Sequence, residues 1–272
     1  MAQEKKWTIL GQDPDVLLAM WANVLSWIVS TFAPSYLPRL LPTGCNASED
    51  ESRPSDTSRT RCISIGRPGG LEQLRLVTLK PAIATMGYNL TNPPPFSKPL
   101  PTDSNIPADC VVLRNEAFSV NYADCCIRWG LYESAKKFVG WPIVPGFDVA
   151  GTVERVPEGS GWNVGDKVFG CTLFGAYSSR VLIPSIQLRR IPEDLSVTDA
   201  ASLPAAALTA LYAFSLAGHY PQRSKYRNKA VLIHSAAGGV GSMLVQIAKI
   251  LELSPIVGVV GRTSKVDAAR AF

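Results

Sequence analysis

The sequence predicts an α/β protein with two folded parts, a small β-rich domain followed by a parallel α/β domain. Three observations predict it. Between residues 59 and 190 short apolar runs are separated by Gly, Pro and Asp turn signals, the pattern of a small barrel or sandwich. After Pro192 the apolar residues recur at helical spacing, and a strand-length run, a glycine-rich turn and a further amphipathic helix follow in direct succession. The chain has 272 residues, 46% of them hydrophobic, which is enough for about two cores.

Composition removes several function classes. The 21 glycines and 21 prolines fall below the ~25–30% that marks low-complexity sequence and follow no Gly-X-Y period, so a collagen-like or fully disordered chain is excluded. The net charge of +5 is spread along the chain without a basic block, and no nucleic acid is expected as a partner. Cys45, Cys62, Cys110, Cys125, Cys126 and Cys171 include one adjacent pair but no C-x-x-C, which is neither a disulfide framework nor a zinc finger. Free thiols in a reducing, cytoplasmic compartment are expected.

Residues 1–58 read as an N-terminal extension. Within it, residues 16–33 carry no charge, are rich in Leu, Val, Ile and Trp, and reach the ~18-residue lower limit for a membrane-spanning helix. Such a helix could span a bilayer, lie in its interface or pack on protein, so membrane association through residues 16–33 stands as an alternative. Asp13 and Asp15 directly precede it and Lys5 and Lys6 lie well upstream, a poor layout for a signal peptide. Residues 43–61 are polar and read as a flexible tether.

Residues 59–190 form the β domain, with strands expected over 74–79, 110–113, 149–153, 167–169 and 177–183. Residues 80–108 hold seven prolines and are expected to be irregular or extended. Residues 191–272 form the α/β part. Here one helix is expected over 200–217, strands over 230–234 and 256–260, and between those strands a helix burying Val240, Met243, Leu244, Ile247, Ala248 and Leu251. Strand, helix and strand make one β-α-β unit, whose parallel strands require the crossover.

The turn opening that helix carries the chemistry. Ala236, Gly238 and Gly241 stand at the offsets of G-x-G-x-x-G, with Ala236 in the first glycine's place, in the run Ala236-Ala237-Gly238-Gly239-Val240-Gly241. Unpaired N–H groups and the positive dipole end at a helix start can seat a diphosphate; Gly238 lets backbone approach the ligand and Gly241 lets helix and strand pack closely. A tight turn with no ligand is the alternative. About 20 residues on, an acid would accept from an adenosine ribose, yet no acid precedes Asp267, and Arg262, Ser264 and Lys265 offer cationic and hydroxyl partners suited to a 2'-phosphate. NADP(H) is favoured over NAD(H), although Arg262 and Lys265 also read as ordinary solvated charges.

Several segments in order carry a resemblance. They are Asn121-Tyr-Ala-Asp-Cys-Cys-Ile-Arg-Trp-Gly-Leu-Tyr132, Pro145-Gly-Phe-Asp-Val-Ala-Gly151, Val164-Gly-Asp-Lys-Val-Phe-Gly170, residues 203–212 and the run from Val231 to Gly241. The stretch 121–270 resembles the zinc-independent quinone oxidoreductase branch of the medium-chain dehydrogenase/reductase superfamily, including its vesicle-amine-transport-protein-1-like group. The resemblance implies a GroES-like β domain joined to a Rossmann domain, NADPH in the cleft between them, a small-molecule quinone or enone as substrate, and frequent homodimerisation. Zinc-dependent relatives carry Gly-His-Glu where this chain has Gly146-Phe147-Asp148; Phe has no ligand atom, so no metal is expected. His234 reads as a packed strand residue and His219 as a surface one.

The resemblance further places Asn121 and Tyr132 near nicotinamide and substrate, where amide and phenol can donate hydrogen bonds, and Thr209 at the nicotinamide. Asp124 is expected to brace the loop, and Cys126 falls where some relatives carry a second tyrosine. By residue type alone, Asn121 could equally serve a turn, Tyr132 could be a half-buried aromatic, and Thr209 could bond back within its helix. A dinucleotide fold needs two β-α-β-α-β halves and residues 191–272 supply one unit, so an incomplete Rossmann domain is expected. Exposed apolar strand edges and a truncated chain, unstable or inactive by itself, follow from that expectation. An inactive fragment and a non-enzymatic membrane-associated ligand-binding protein are the alternative functions.

Overall fold

The computed structural model of the protein describes residues 60–79, 82–85, 98–99, 106–218 and 227–272. The apolar stretch 16–33, the rest of the N-terminal extension and His219 lie outside the described residues. The described chain divides into two compact units between Ser202 and Leu203.

The first unit is built on a seven-stranded sheet. Its strands are β3 (Ala82–Thr85), β4 (Lys98–Pro99), β5 (Cys110–Ala117), β6 (Asp148–Arg155), β7 (Lys167–Cys171), β8 (Arg180–Pro184) and β9 (Leu188–Arg190), in the order β4-β3-β8-β5-β6-β7-β9. Neighbours are antiparallel except β3 and β8. Val111, Leu113, Val149, Val153, Val168, Val181 and Ile183 alternate along these strands and bury a common face, which is why β-branched residues fill them. A separate hairpin, β1 (Thr60–Ile65) with β2 (Leu74–Leu79), bridges to the sheet unit through Cys62 to Ser178 and Ile65 to Ile143. The expected strands are all present. Two further strands, β3 and β4, lie in the proline-rich span as short extended pieces.

Strand β5 shifts register against β6 between Asn115 and Ala117. Buried Asn115 fills that irregularity: its amide donates to the carbonyls of Ala176 (2.8 Å) and Ser178 (3.1 Å), and its oxygen accepts from Ala150 N–H (3.2 Å). Every polar atom of the side chain is thereby satisfied, and the segment carrying Tyr177 is tied to the sheet. Two short helices that hydrophobic periodicity did not signal, α1 (Tyr122–Arg128) and α2 (Glu133–Phe138), pack Ile127 and Ala135 with Ile65, Ile143, Phe147 and Phe174 in a second core. At seven and six residues they are too brief for the 3.6-residue repeat to show.

The expected single helix over 200–217 is two helices. α3 (Val197–Ala201) buries Ala200 and Ala201 against Ala150 and Phe169 in the first unit, while α4 (Pro204–Leu216) belongs to the second. The reason is Pro204. It lacks the N–H a continuing helix would need and instead takes the first position of a new one.

In the second unit β10 (Val231–His234) and β11 (Ile256–Val259) pair in parallel, joined by α5 (Gly239–Ile250), and the chain ends in α6 (Val266–Arg270). The buried residues of α5 are Gly241, Ser242, Val245, Ile247 and Ala248, with Leu251 just beyond. The expected stripe holds at Ile247, Ala248 and Leu251 but not before them: Val240 is exposed and Met243 and Leu244 half-buried, because Gly241 turns toward the backbone of Ser235 and Ala236. Register pairs Leu232 with Val257 and His234 with Val259 on the sheet face away from buried Ile233. There Leu232 is 58%, Val257 48% and Val259 38% exposed, the uncovered apolar surface that a two-stranded parallel sheet leaves. Among the described residues no helix is long and apolar enough to cross a membrane.

Candidate functional site

The glycine turn is built by the end of β10. Ser235 takes a left-handed φ of 53° and reverses the chain. Ala236 N–H then donates to Val259 O (3.0 Å), locking the turn to β11, and Gly238 N–H donates to Ser235 O (2.7 Å). Gly238 is the N-cap of α5, and its carbonyl accepts the first helical bond from Ser242 N–H (2.8 Å). The amides of Gly239, Val240 and Gly241 therefore stand at the helix entrance ahead of the first intrahelical donor. Gly238, Gly239 and Val240 are exposed, Ala237 is half-buried and Ala236 is buried. Gly241 is required by close approach: a Cβ there would lie 2.0 Å from Ser235 O. After β11, Arg262, Ser264 and Lys265 are exposed, in and beside the single turn Thr263–Lys265.

The first unit carries a buried polar cluster at the start of α1. Asn121 is the N-cap of that helix, and its N–H donates to Asp124 Oδ2 (2.8 Å) in a capping box. Asp124 Oδ2 also accepts from the Tyr177 hydroxyl (3.1 Å), and Oδ1 accepts from Gly146 N–H (3.0 Å). Gly146 sits at φ +97°, and a Cβ on it would meet the Tyr177 ring at 2.3 Å, so only glycine lets the chain pass here. Asp124 braces the loop as expected. Burial outweighs its three donors and lifts its carboxyl to about 6, with neighbouring Asp148 adding to the rise.

Asn121 turns its amide nitrogen to Asp148 Oδ2 (2.9 Å) and to Ser119 Oγ (2.9 Å), and Ser119 Oγ itself hydrogen-bonds Asp148 Oδ2. Tyr132, the N-cap of α2, is half-buried with its ring 6.0 Å from both Phe147 and Phe174. Burial and the charge of Asp124 hold its phenol above the usual range, so at neutral pH it is a protonated donor. Cys171 packs beside this group and its thiol is pushed well up by burial, which leaves it a hydrophobic residue more than a nucleophile. Phe147 offers no atom to a metal.

Comparisons with known proteins follow the same outline. The alcohol dehydrogenase GroES-like domain matches residues 107–193. The human synaptic vesicle membrane protein VAT-1 homolog is 35% identical over 150 residues, 54% of this chain and 36% of that protein. The 2-haloacrylate reductase of a Burkholderia species is 37% identical over 165 residues, 59% of this chain and 47% of that protein. Among solved structures, Escherichia coli quinone oxidoreductase complexed with NADPH is 27% identical with a TM-score of 0.59, covering 78% of this chain and 56% of that one. The human VAT-1 homolog-like protein is 25% identical with a TM-score of 0.62, covering 78% and 59%. The chain is thus similar to quinone-oxidoreductase-like medium-chain dehydrogenases/reductases, and its residues 107–193 match their GroES-like domain. The matched region spans less than half the length of the two curated relatives given above.

Within this quinone-oxidoreductase-like chain, Asn121, Tyr132 and Asp124 fall together in the first unit, while Thr209, the 236–241 turn and Arg262, Ser264 and Lys265 fall in the second. Thr209 is exposed on α4, and its hydroxyl donates back to Ala205 O (2.6 Å), as a threonine within a helix does. Three members of the polar cluster carry no distinct signal by residue type: Ser119, Asp148 and Tyr177. Asp148 alone left a trace, a single acid in the apolar run from Ile143 to Ala150 that burial obliges to find donors.

Proposed function

We propose that the chain carries the cofactor- and substrate-binding elements of an NADPH-dependent reductase that delivers hydride to a quinone or enone. One observation carries the reading: the exposed glycine turn at the entrance of α5, whose leading amides precede the first helical bond, has the chemistry of a diphosphate seat. The amides of Gly239, Val240 and Gly241 would hold the diphosphate, with Ala236 and Ala237 shaping the turn and Gly238 leaving room for close approach. Arg262, Ser264 and Lys265 would meet the 2'-phosphate, and Thr209 the nicotinamide side. NADPH, when bound, supplies the hydride. The chain's own residues hold the reacting faces together and donate hydrogen bonds to the oxygen on which negative charge develops. Tyr132 is suited to that donation because its phenol stays protonated, and Asn121 because its amide is held in one orientation.

The test is fluorescence titration of the whole chain with NADPH and NADH, followed by quinone reduction. NADPH is expected to bind more tightly. Arg262→Ala should weaken NADPH about tenfold, the loss of one charge-assisted hydrogen bond, and leave NADH unchanged. Equal losses for both cofactors would remove Arg262 from 2'-phosphate recognition. Tyr132→Phe should lower kcat about 100-fold, as loss of one oxyanion donor does, with NADPH affinity kept; an unchanged kcat would sink its role.

A further inference from the structure

The side chain of Asn121 is tied through its nitrogen. The Asp124 N–H donates to the backbone carbonyl of Asn121 (3.0 Å), not to its side-chain oxygen. Its nitrogen lies 2.9 Å from both Asp148 Oδ2 and Ser119 Oγ. Those two acceptors are themselves hydrogen-bonded to each other, so they sit on one side of the nitrogen and share a single N–H. The second amide proton points elsewhere. The orientation follows from the pairing: Asp148 Oδ2 accepts from both Ser119 Oγ and the amide, so the amide nitrogen, not its oxygen, faces it. Asp148 is fully buried, which shields this bond from competing water and strengthens it.

We propose that Asp148, acting with Ser119, is a positioning residue that holds Asn121 as a one-proton donor aimed at a ligand oxygen. This rests on the reductase reading for the identity of the ligand, the carbonyl oxygen of the quinone or enone, but not for the geometry. Free to turn about its last torsion, Asn121 would present oxygen as often as nitrogen, and an oxygen facing a developing oxyanion is repulsive. The Asp148 carboxylate removes that alternative. Asp148 need not touch the substrate itself.

Two measurements test the proposal. In the isotope-labelled chain, the Asn121 side-chain N–H₂ should give one strongly shifted, slowly exchanging proton and one ordinary one, and Asp148→Asn should reduce that shift most and Ser119→Ala by less. Two protons at ordinary side-chain amide shifts, both exchanging fast, in the unsubstituted chain would overturn the geometry whether or not the protein binds NADPH. In kinetics, Asp148→Asn should lower kcat about 10- to 100-fold, the scale of a misplaced catalytic group, and Ser119→Ala by less, with NADPH affinity by fluorescence held within about twofold. Introduced into Asn121→Ala, Asp148→Asn should cost nothing more, because its effect passes through Asn121. Additive losses would overturn the positioning role. Thermal unfolding identifies a variant that fails to fold, and the partly exposed Ser119→Ala then carries the test. Absence of NADPH binding in the unsubstituted chain, with the proton signature intact, would reject the reductase reading and leave the Asn121 geometry standing.

Discussion

Gly241→Ala is expected to destabilise the second unit by about 3 kcal/mol, the upper end of what overpacking costs, and to reduce NADPH affinity at least 100-fold. The added Cβ would stand 2.0 Å from Ser235 O, 2.7 Å from Ser235 C and 2.9 Å from Ala236 Cα. All three are backbone atoms, so no side chain can rotate away and the helix must lift from the end of β10. Lifting it carries the amides of Gly239 and Val240 off the position where they would meet a diphosphate, and each charge-assisted bond lost costs about 1.5–3 kcal/mol. Gly239→Ala is the matched control. Nothing lies within 4 Å of the Cβ it would add, and alanine is the better helix former by about 1 kcal/mol. That variant should melt no lower than the unsubstituted chain yet bind NADPH more weakly, since its methyl occupies ligand space. Thermal unfolding and NADPH fluorescence on the pair separate fold from seat. A Gly241→Ala protein that melts and binds like the original would remove both the steric argument and the assignment of the turn.

The parts of this fold that were legible in sequence are those whose signal is local. The β10–turn–α5–β11 unit shows itself because strand length, glycine offsets and helical spacing all fall within residues 230–260. The single helix expected over 200–217 is broken in two, because alanine and leucine continue through the break and only Pro204 marks it. α1 and α2 escaped periodicity, although Asn121 and Asp124 at capping spacing mark the start of the first. The polar cluster was not legible as a cluster. Asp124 bonds to residues 22 and 53 positions away, Gly146 and Tyr177, and Asn121 to Asp148, 27 positions away. No short window of sequence contains such pairs, and each member is an ordinary polar residue until the sheet brings it to the others.

That cluster contributes a pH-dependent share of the first unit's stability. Asp124 has a folded-state pKa of about 6 against an ordinary 3.8, chiefly because of burial. A raised acid binds its proton more tightly in the folded chain than in the unfolded one. Between pH 4 and pH 6 the folded state therefore holds more protons, and stability from this group falls as pH rises. Its contribution is fully present below about pH 4 and lost above about pH 6, a difference of about 3 kcal/mol. Glu116 and Asp166, held low by their hydrogen bonds to Thr152 and Arg190, work in the opposite direction, so the total curve alone does not isolate Asp124. Comparison with Asp124→Asn does. The variant puts an amide donor against the N–H of either Asn121 or Gly146 and should cost about 1–3 kcal/mol, but it has no proton to exchange at that place. Urea unfolding at pH 4, 5, 6 and 7 should show the advantage of the original chain over Asp124→Asn shrinking by about 3 kcal/mol from the lowest pH to the highest. The facing groups Asp148 and Tyr177 are common to both proteins and largely cancel. An advantage constant across that range would mean that Asp124 titrates at its ordinary value, its three donors offsetting its burial.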